Sequence, residues 1–282
     1  MKLKDFLTTL SGKQKVGYLT GAALDRVKNV LTDFESFRDE RRFYTDIEHL
    51  GFERDTNDIE LQLSKNGNKI GLRNNTTDNK VFQQVYIRNE YLPLIDCAKA
   101  NSVEVSTIVD AGANIGLTSL KLLEYFSAAK VVCLEPDPGN FSQLQRNLLS
   151  YSTQTVLLQA ALWHSEEELY LGNDFRGGLE WSRNVTAGKK TDASAVSGIS
   201  LNTLIKQYHL SQIDILKIDI EGSEAEIFKP ENDLSFLDIT KIIALEIHDE
   251  FNCRETIYQI LRDRDYVIFN GVELTLGINM RL

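Results

Sequence analysis

Apolar positions change texture near residue 106, scattered or alternating before it and gathered into short runs after it. The runs Thr107–Val109, Val131–Leu134, Val156–Leu158, Ile213–Ile218 and Ile242–Ile247 each give way to turn residues and then to a helical pattern. Strands buried on both faces read as continuous apolar runs, so this rhythm predicts βαβ units, a parallel sheet covered by helices. The helix after the second run is best marked. Asp137 is placed to cap it, Pro138 suits its first position, and Phe141, Leu144 and Leu148 share a face. Near the end, Tyr266–Phe269, Asn270-Gly271 and 272–276 predict an antiparallel hairpin closing the sheet.

The first part of the chain reads differently. Between about residues 5 and 52, Leu24, Val27, Leu31, Phe34 and Phe37 stand at helical spacing in a charge-rich background. Ile59, Leu61 and Leu63 alternate, Asn66-Gly67 follows, and Ile70 and Leu72 resume, which predicts a hairpin because Asn-Gly tolerates the positive φ of a tight primed turn. Gln84–Tyr91 alternates again through Val85 and Ile87. The 173–200 stretch has glycines, Phe175 and Trp181 but no periodicity, and reads either as a mobile flap over a substrate or as a solvated insertion.

Composition narrows the function. The 282 residues are 42% hydrophobic, enough for a sizeable core, and carry a net charge of −10. That acidity, with a pI near 5.0, argues against a nucleic-acid partner, because phosphate binding needs a basic surface. No apolar run approaches the roughly 18 residues of a spanning helix, and Lys4 and Asp5 interrupt any signal-peptide core, so no membrane insertion and a cytoplasmic home are expected. Cys97, Cys133 and Cys253 fit neither a disulfide framework nor a zinc site.

The strongest local motif is Val109-Asp110-Ala111-Gly112-Ala113-Asn114-Ile115-Gly116, which ends a predicted strand and opens a predicted helix. Gly112 and Gly116 remove side chains at the crossover, and amides of the turn and helix start would favour an anionic ligand group. The glycine spacing is not that of the dinucleotide fingerprint, and a purely structural turn is the competing reading. Glu135 follows Gly116 by 19 residues, close to the roughly 20 at which an acidic residue binds ribose hydroxyls; a helix-start charge is its alternative. Lys217, Asp219 and Glu221 alternate beyond the fourth run and would share one side, with a structural ion pair open for Lys217. Glu246 and His248 likewise share a face and could meet Asp219 and Glu221 across a cleft. His248, as an imidazole, is the general-base candidate, and a structural histidine is the alternative. Asp219, Glu246 and His248 could instead ligate a divalent cation.

The segments Val109–Gly116, Leu134-Glu135-Pro136-Asp137, Leu216–Glu224 and Leu245-Glu246-Ile247-His248 together resemble the FkbM family of S-adenosylmethionine-dependent methyltransferases. That resemblance implies an α/β, Rossmann-like sheet of seven strands, mostly parallel with an antiparallel C-terminal hairpin strand. It would occupy 84–282, behind an N-terminal helical and hairpin extension over 1–83. It further implies methyl transfer to a hydroxyl on a sugar, glycan or other small metabolite. Asp110 and the turn of Gly112, Ala113, Asn114 and Gly116 would face the methionine moiety. Glu135 and Pro136 would lie at the ribose, Ala161 and Leu162 at the adenine, and Asp219 near the amino group or methyl. Trp163 could stack on the ligand or belong to the core. Asp219, Glu221, Glu246 and His248 are the catalytic candidates. The competing functions are an NAD-dependent dehydrogenase, disfavoured by the glycine spacing, and a catalytically idle nucleotide-binding scaffold; oligomeric state is left open.

Overall fold

The computed structural model of the protein describes residues 41–56, 60–171, 185–187, 195–271 and 273–282. The chain forms two compact units, Met1–Glu53 and Arg54–Leu282. The described part of the first holds a helix over 41–49, with Phe43 and Ile47 buried. The expected helical positions Leu24 to Phe37, and Ile59 of the hairpin, lie outside the described residues.

The larger unit opens with β1 (Glu53–Thr56), β2 (Glu60–Lys65) and β3 (Asn68–Arg73), a three-stranded sheet in that order. Asn66 and Gly67 adopt φ of 52° and 84°, the primed turn expected of Asn-Gly. The expected division after residue 83 does not coincide with this unit, which takes in the hairpin. The reason is polar packing: Gly71 donates its N–H to Asn147 Oδ1 at 2.8 Å and accepts from Gln143 Nε2 at 2.9 Å. The 84–91 stretch also departs from its alternating pattern. Helix α1 (Asp78–Phe82) runs into a π-helical turn over Gln83–Ile87. Val81 with Val85 and Phe82 with Tyr86 form a stripe at i, i+4, and the second pair of rings stacks at 5.0 Å. Helix α2 (Leu92–Ala100) follows.

The strands β4 (Thr107–Ala111), β5 (Lys130–Leu134) and β6 (Thr155–Leu158) alternate with helices α3 (Leu117–Tyr125) and α4 (Pro138–Asn147). Asp137 caps α4 as expected, its Oδ1 accepting from Gly139 N at 2.8 Å and Asn140 N at 2.9 Å. Next come β7 (Ala161–Leu162), β8 (Glu168–Leu171), β9 (Val185–Ala187) and β10 (Ala195–Ile199), which build a small sheet in the order β7-β10-β8-β9. Two strands thus fall inside the 173–200 stretch that was read as irregular; Phe175 and Trp181 lie outside the described residues. Alternation in β10 rests on Ala, Ser and Gly around Val196, too weak an apolar signal to be seen in the sequence.

The chain continues through α5 (Leu201–Tyr208), β11 (Ile213–Ile218), α6 (Glu224–Ile227), β12 (Thr240–Glu246), α7 (Arg254–Arg262), β13 (Tyr266–Asn270) and β14 (Leu274–Asn279). The main sheet has seven strands in the order β13-β14-β12-β11-β4-β5-β6. Pairing is parallel from β12 to β6 and antiparallel for β14 with β12 and with β13, so the C-terminal hairpin closes the sheet as expected. This is the Rossmann-like sheet of seven strands that the family resemblance implies. Every residue of β11 is buried, including Asp214 and Lys217. Asp214 is satisfied by the amides of Ser106 and Thr107, both at 2.8 Å, which ties the entry of β4 to β11.

Candidate active site

A cavity lies beyond the carboxyl ends of β12, β11, β4 and β5, the edge where open α/β sheets bind ligands. Glu246 reaches it from β12, Asp219, Ile220 and Glu221 from β11, Gly112, Ala113 and Asn114 from β4, and Glu135, Pro136 and Asp137 from β5. Ala161 and Leu162 line it from β7. Val81, Gln84, Val85, Glu90 and Tyr91 complete the lining. In the sequence that stretch shows only an i, i+4 apolar stripe over five residues, which resembles strand alternation.

On the β4 and β5 side the backbone builds the site. Glu135 is buried, and its two oxygens accept from Asn114 N at 2.8 Å and Asp137 N at 2.9 Å. Burial pushes its carboxyl up to about 7, against the pull of those amides. Each oxygen keeps a lone pair to accept from a ligand hydroxyl. The turn amides themselves are less available than expected: Gly112 and Ala113 donate to Leu134 O at 3.0 and 2.9 Å, and Gly116 to Ala113 O at 2.8 Å. Gly112 has φ of 79°, and a Cβ there would stand 1.7 Å from Asp219 O. Its missing side chain therefore serves the close passage of the β11 exit as much as any ligand.

On the β11 and β12 side the site is built from charges. Lys217, buried at the end of β11, places Nζ 2.7 Å from Gly112 O, 3.2 Å from Asp110 Oδ1 and 3.4 Å from Asp219 Oδ2. Burial opposes its charge, but Asp110, Tyr91 and Asp219 hold its ammonium well above the ordinary lysine range. The Tyr91 hydroxyl donates to Asp219 Oδ2 at 3.4 Å. Glu246 is pushed up to about 9, first by the Asp219 carboxylate and then by burial, and Glu90 to about 7 by burial and Glu273. His248 bridges two carboxylates, Nε2 to Glu221 at 3.3 Å and Nδ1 to Glu224 at 3.3 Å. Burial works against its charge, yet the Glu221 and Glu224 carboxylates beside it push the ring up to about 10.

The family model of the methyltransferase FkbM domain matches residues 110–268, more than half of the sequence. The chain belongs to the FkbM methyltransferase family. It is 28% identical to methyltransferase sdnD of Sordaria araneosa over 191 residues, which cover 57% of this chain and 73% of that protein. It is 24% identical to methyltransferase 1 of Beauveria bassiana over 184 residues, covering 58% and 73%. The crystal structure of methyltransferase FkbM from Methylobacillus flagellatus KT superposes with a TM-score of 0.41 at 16% identity, covering 62% of this chain and 44% of that one. The coarse function, methyl transfer, follows from family membership, which implies S-adenosylmethionine as the donor.

Within this FkbM domain, three sequence candidates stand off the cavity wall. Asp110 is fully buried between Lys217, 3.2 Å away, and the Ser119 hydroxyl, which donates to it at 2.7 Å. Gly116 caps α3 at φ of 86°, where a Cβ would stand 2.7 Å from Leu144 Cδ1; it serves helix packing. His248 sits behind Glu221 and Glu246, 2% exposed. Glu221, expected to continue an extended run with Lys217 and Asp219, instead has φ of 54° and turns toward His248. Trp163 donates to Glu167 Oε1 at 2.8 Å and packs with Leu169, Leu171 and Val196, the core outcome. Among the described residues, Asp219, Glu246 and His248 do not come together as a cation set, whereas carboxylates of Glu90, Glu246 and Glu273 approach one another within 4.8 Å at partly exposed positions.

Proposed function

We propose that this FkbM domain transfers the methyl group of S-adenosylmethionine to a hydroxyl of a sugar, glycan or other small metabolite. The observation that carries the reading is one continuous cavity with a buried, amide-held carboxylate, Glu135, at one side and Asp219 at the other. The donor fits what is present: Glu135 offers acceptors for a vicinal diol, and Ala161 with Leu162 offers an apolar face for a purine. When bound, that donor supplies an electrophilic methyl on a sulfonium. Asp219 then orients the acceptor hydroxyl and takes its proton, while Tyr91 and Lys217 fix the carboxylate by a hydroxyl and an ammonium. His248, with its ring pushed up to about 10, is already protonated near neutrality and is a poor base. Glu246, pushed up to about 9, holds a proton and is suited to donate to an acceptor oxygen beside the reacting one. Glu90, Asp219, Glu221 and Glu246 make this side acidic, which disfavours phosphate-rich acceptors such as nucleic acid.

Incubation with donor labelled in its methyl group and neutral polyhydroxyl acceptors, followed by mass spectrometry, tests the reading. Label is expected on an oxygen of the acceptor. Label on nitrogen or carbon would refute O-methylation, and donor binding without turnover on any acceptor would favour the idle scaffold.

A further inference from the structure

The segment after β11 passes through two left-handed residues in succession, Glu221 at φ 54° and Gly222 at φ 94°. For glutamate that conformation is costly and persists where the surroundings impose it. Three contacts from the segment after β12 do so. His248 meets Glu221 through Nε2 and Glu224 through Nδ1, both at 3.3 Å. Phe251, in a turn whose N–H donates to His248 O at 3.1 Å, lies so close over Gly222 that a Cβ there would stand 2.2 Å from Cε2. Glu224, fully buried, also accepts from Ile220 N at 3.1 Å through its other oxygen, closing the turn from within.

We propose that His248 is a positioning residue whose buried ring clamps Glu221 and Glu224 and thereby presents the Glu221 carboxylate to the acceptor side of the cavity. The inference rests on the methyltransferase reading only for what Glu221 does there, not for how it is held. The ring faces Glu221 and Glu224 from the β11 exit and Glu246 from β12 at 3.9 Å, with Asp249 next in the chain. Its charge therefore offsets the mutual repulsion of carboxylates that the cavity needs close together. Because the folded ring titrates above the free imidazole, the clamp is complete below about pH 6.5 and is lost as pH rises through about 10.

Two measurements test this. Nitrogen-15 NMR of histidine-labelled protein, which has four histidines, should show both His248 ring nitrogens protonated at pH 8, the signal being assigned by its absence in His248→Gln. Turnover should then be compared among His248→Gln, Glu221→Gln and the double variant at saturating donor. Each single change is expected to lower kcat by about 10- to 100-fold, the scale of a misplaced group, with donor affinity held. The double variant should fall no further than the worse single, because one acts through the other. A ring that keeps its proton up to about pH 10 does not titrate on the acid side, so any acidic limb of the pH–kcat profile should survive in His248→Gln. A neutral ring at pH 8 would overturn the clamp, as would additive losses, disappearance of that limb, or a variant that is less stable yet turns over normally. If the wild type transfers no methyl to any acceptor, the methyltransferase reading fails, and the NMR result alone decides the clamp: a charged ring whose signals shift in Glu221→Gln supports it.

Discussion

The two sides of the cavity are made by different means. At the β4 and β5 side a buried carboxylate is held by the amides of Asn114 and Asp137, and that carboxylate and its donors come from two short segments, 112–117 and 135–137. At the β11 and β12 side the groups come from 90–91, 217–221 and 246–248, and their states depend on one another: Lys217 on Asp110 and Asp219, Glu246 on Asp219, His248 on Glu221 and Glu224. Backbone donors carry no side-chain identity, so the first arrangement suits a constant ligand. A network of coupled charges can be retuned by one substitution, which suits the side that would set acceptor specificity.

That contrast can be broken in order of effect. Asp219→Asn should lower kcat by about 10² to 10⁴, the range for losing a general base, measured by single-turnover kinetics at saturating donor. A loss confined to donor affinity would move Asp219 to the other side of the comparison. Glu135→Ala should weaken donor binding by about tenfold or more, since a hydrogen bond to a charged group contributes roughly 1.5 to 3 kcal/mol. Calorimetry measures this, and in the wild type donor affinity should rise as pH climbs through about 7, where Glu135 loses its proton and becomes a pure acceptor. A flat profile would show that Glu135 meets no hydroxyl. Trp163→Phe should leave donor affinity within about twofold while costing about 1 kcal/mol of stability, because its indole serves the small sheet and not the cavity. A tenfold loss of donor affinity would return Trp163 to the site.

Legibility in the sequence follows the same divide. The parallel part of the sheet was readable because β4, β5, β11 and β12 are buried on both faces and so print continuous apolar runs, the full set of seven strands came from the family resemblance, and Asp137-Pro138 announced α4 by a local hydrogen-bonding rule. Glu135 was readable as a fixed offset from a turn. Three things were not. The wall at Val81–Tyr91 is a helix ending in a π turn, and its short stripe mimics alternation over the same residues. The left-handed φ of Glu221 is imposed by His248 and Phe251, which arrive from another strand. The protonation of His248 and Glu246 depends on distances between segments, and an isolated imidazole suggests a base where two carboxylates make it a cation.

The central claim is that donor and acceptor occupy opposite sides of one cavity, divided at the Gly112 turn. A crystal structure of the protein with S-adenosylhomocysteine tests it most directly. Both ribose hydroxyls are expected on the Glu135 carboxylate, the purine against Ala161 and Leu162, and the sulfur facing the space bounded by Tyr91, Asp219 and Glu246. A ribose bound away from Glu135, or a sulfur turned toward β6 with Asp219 facing solvent, would contradict it.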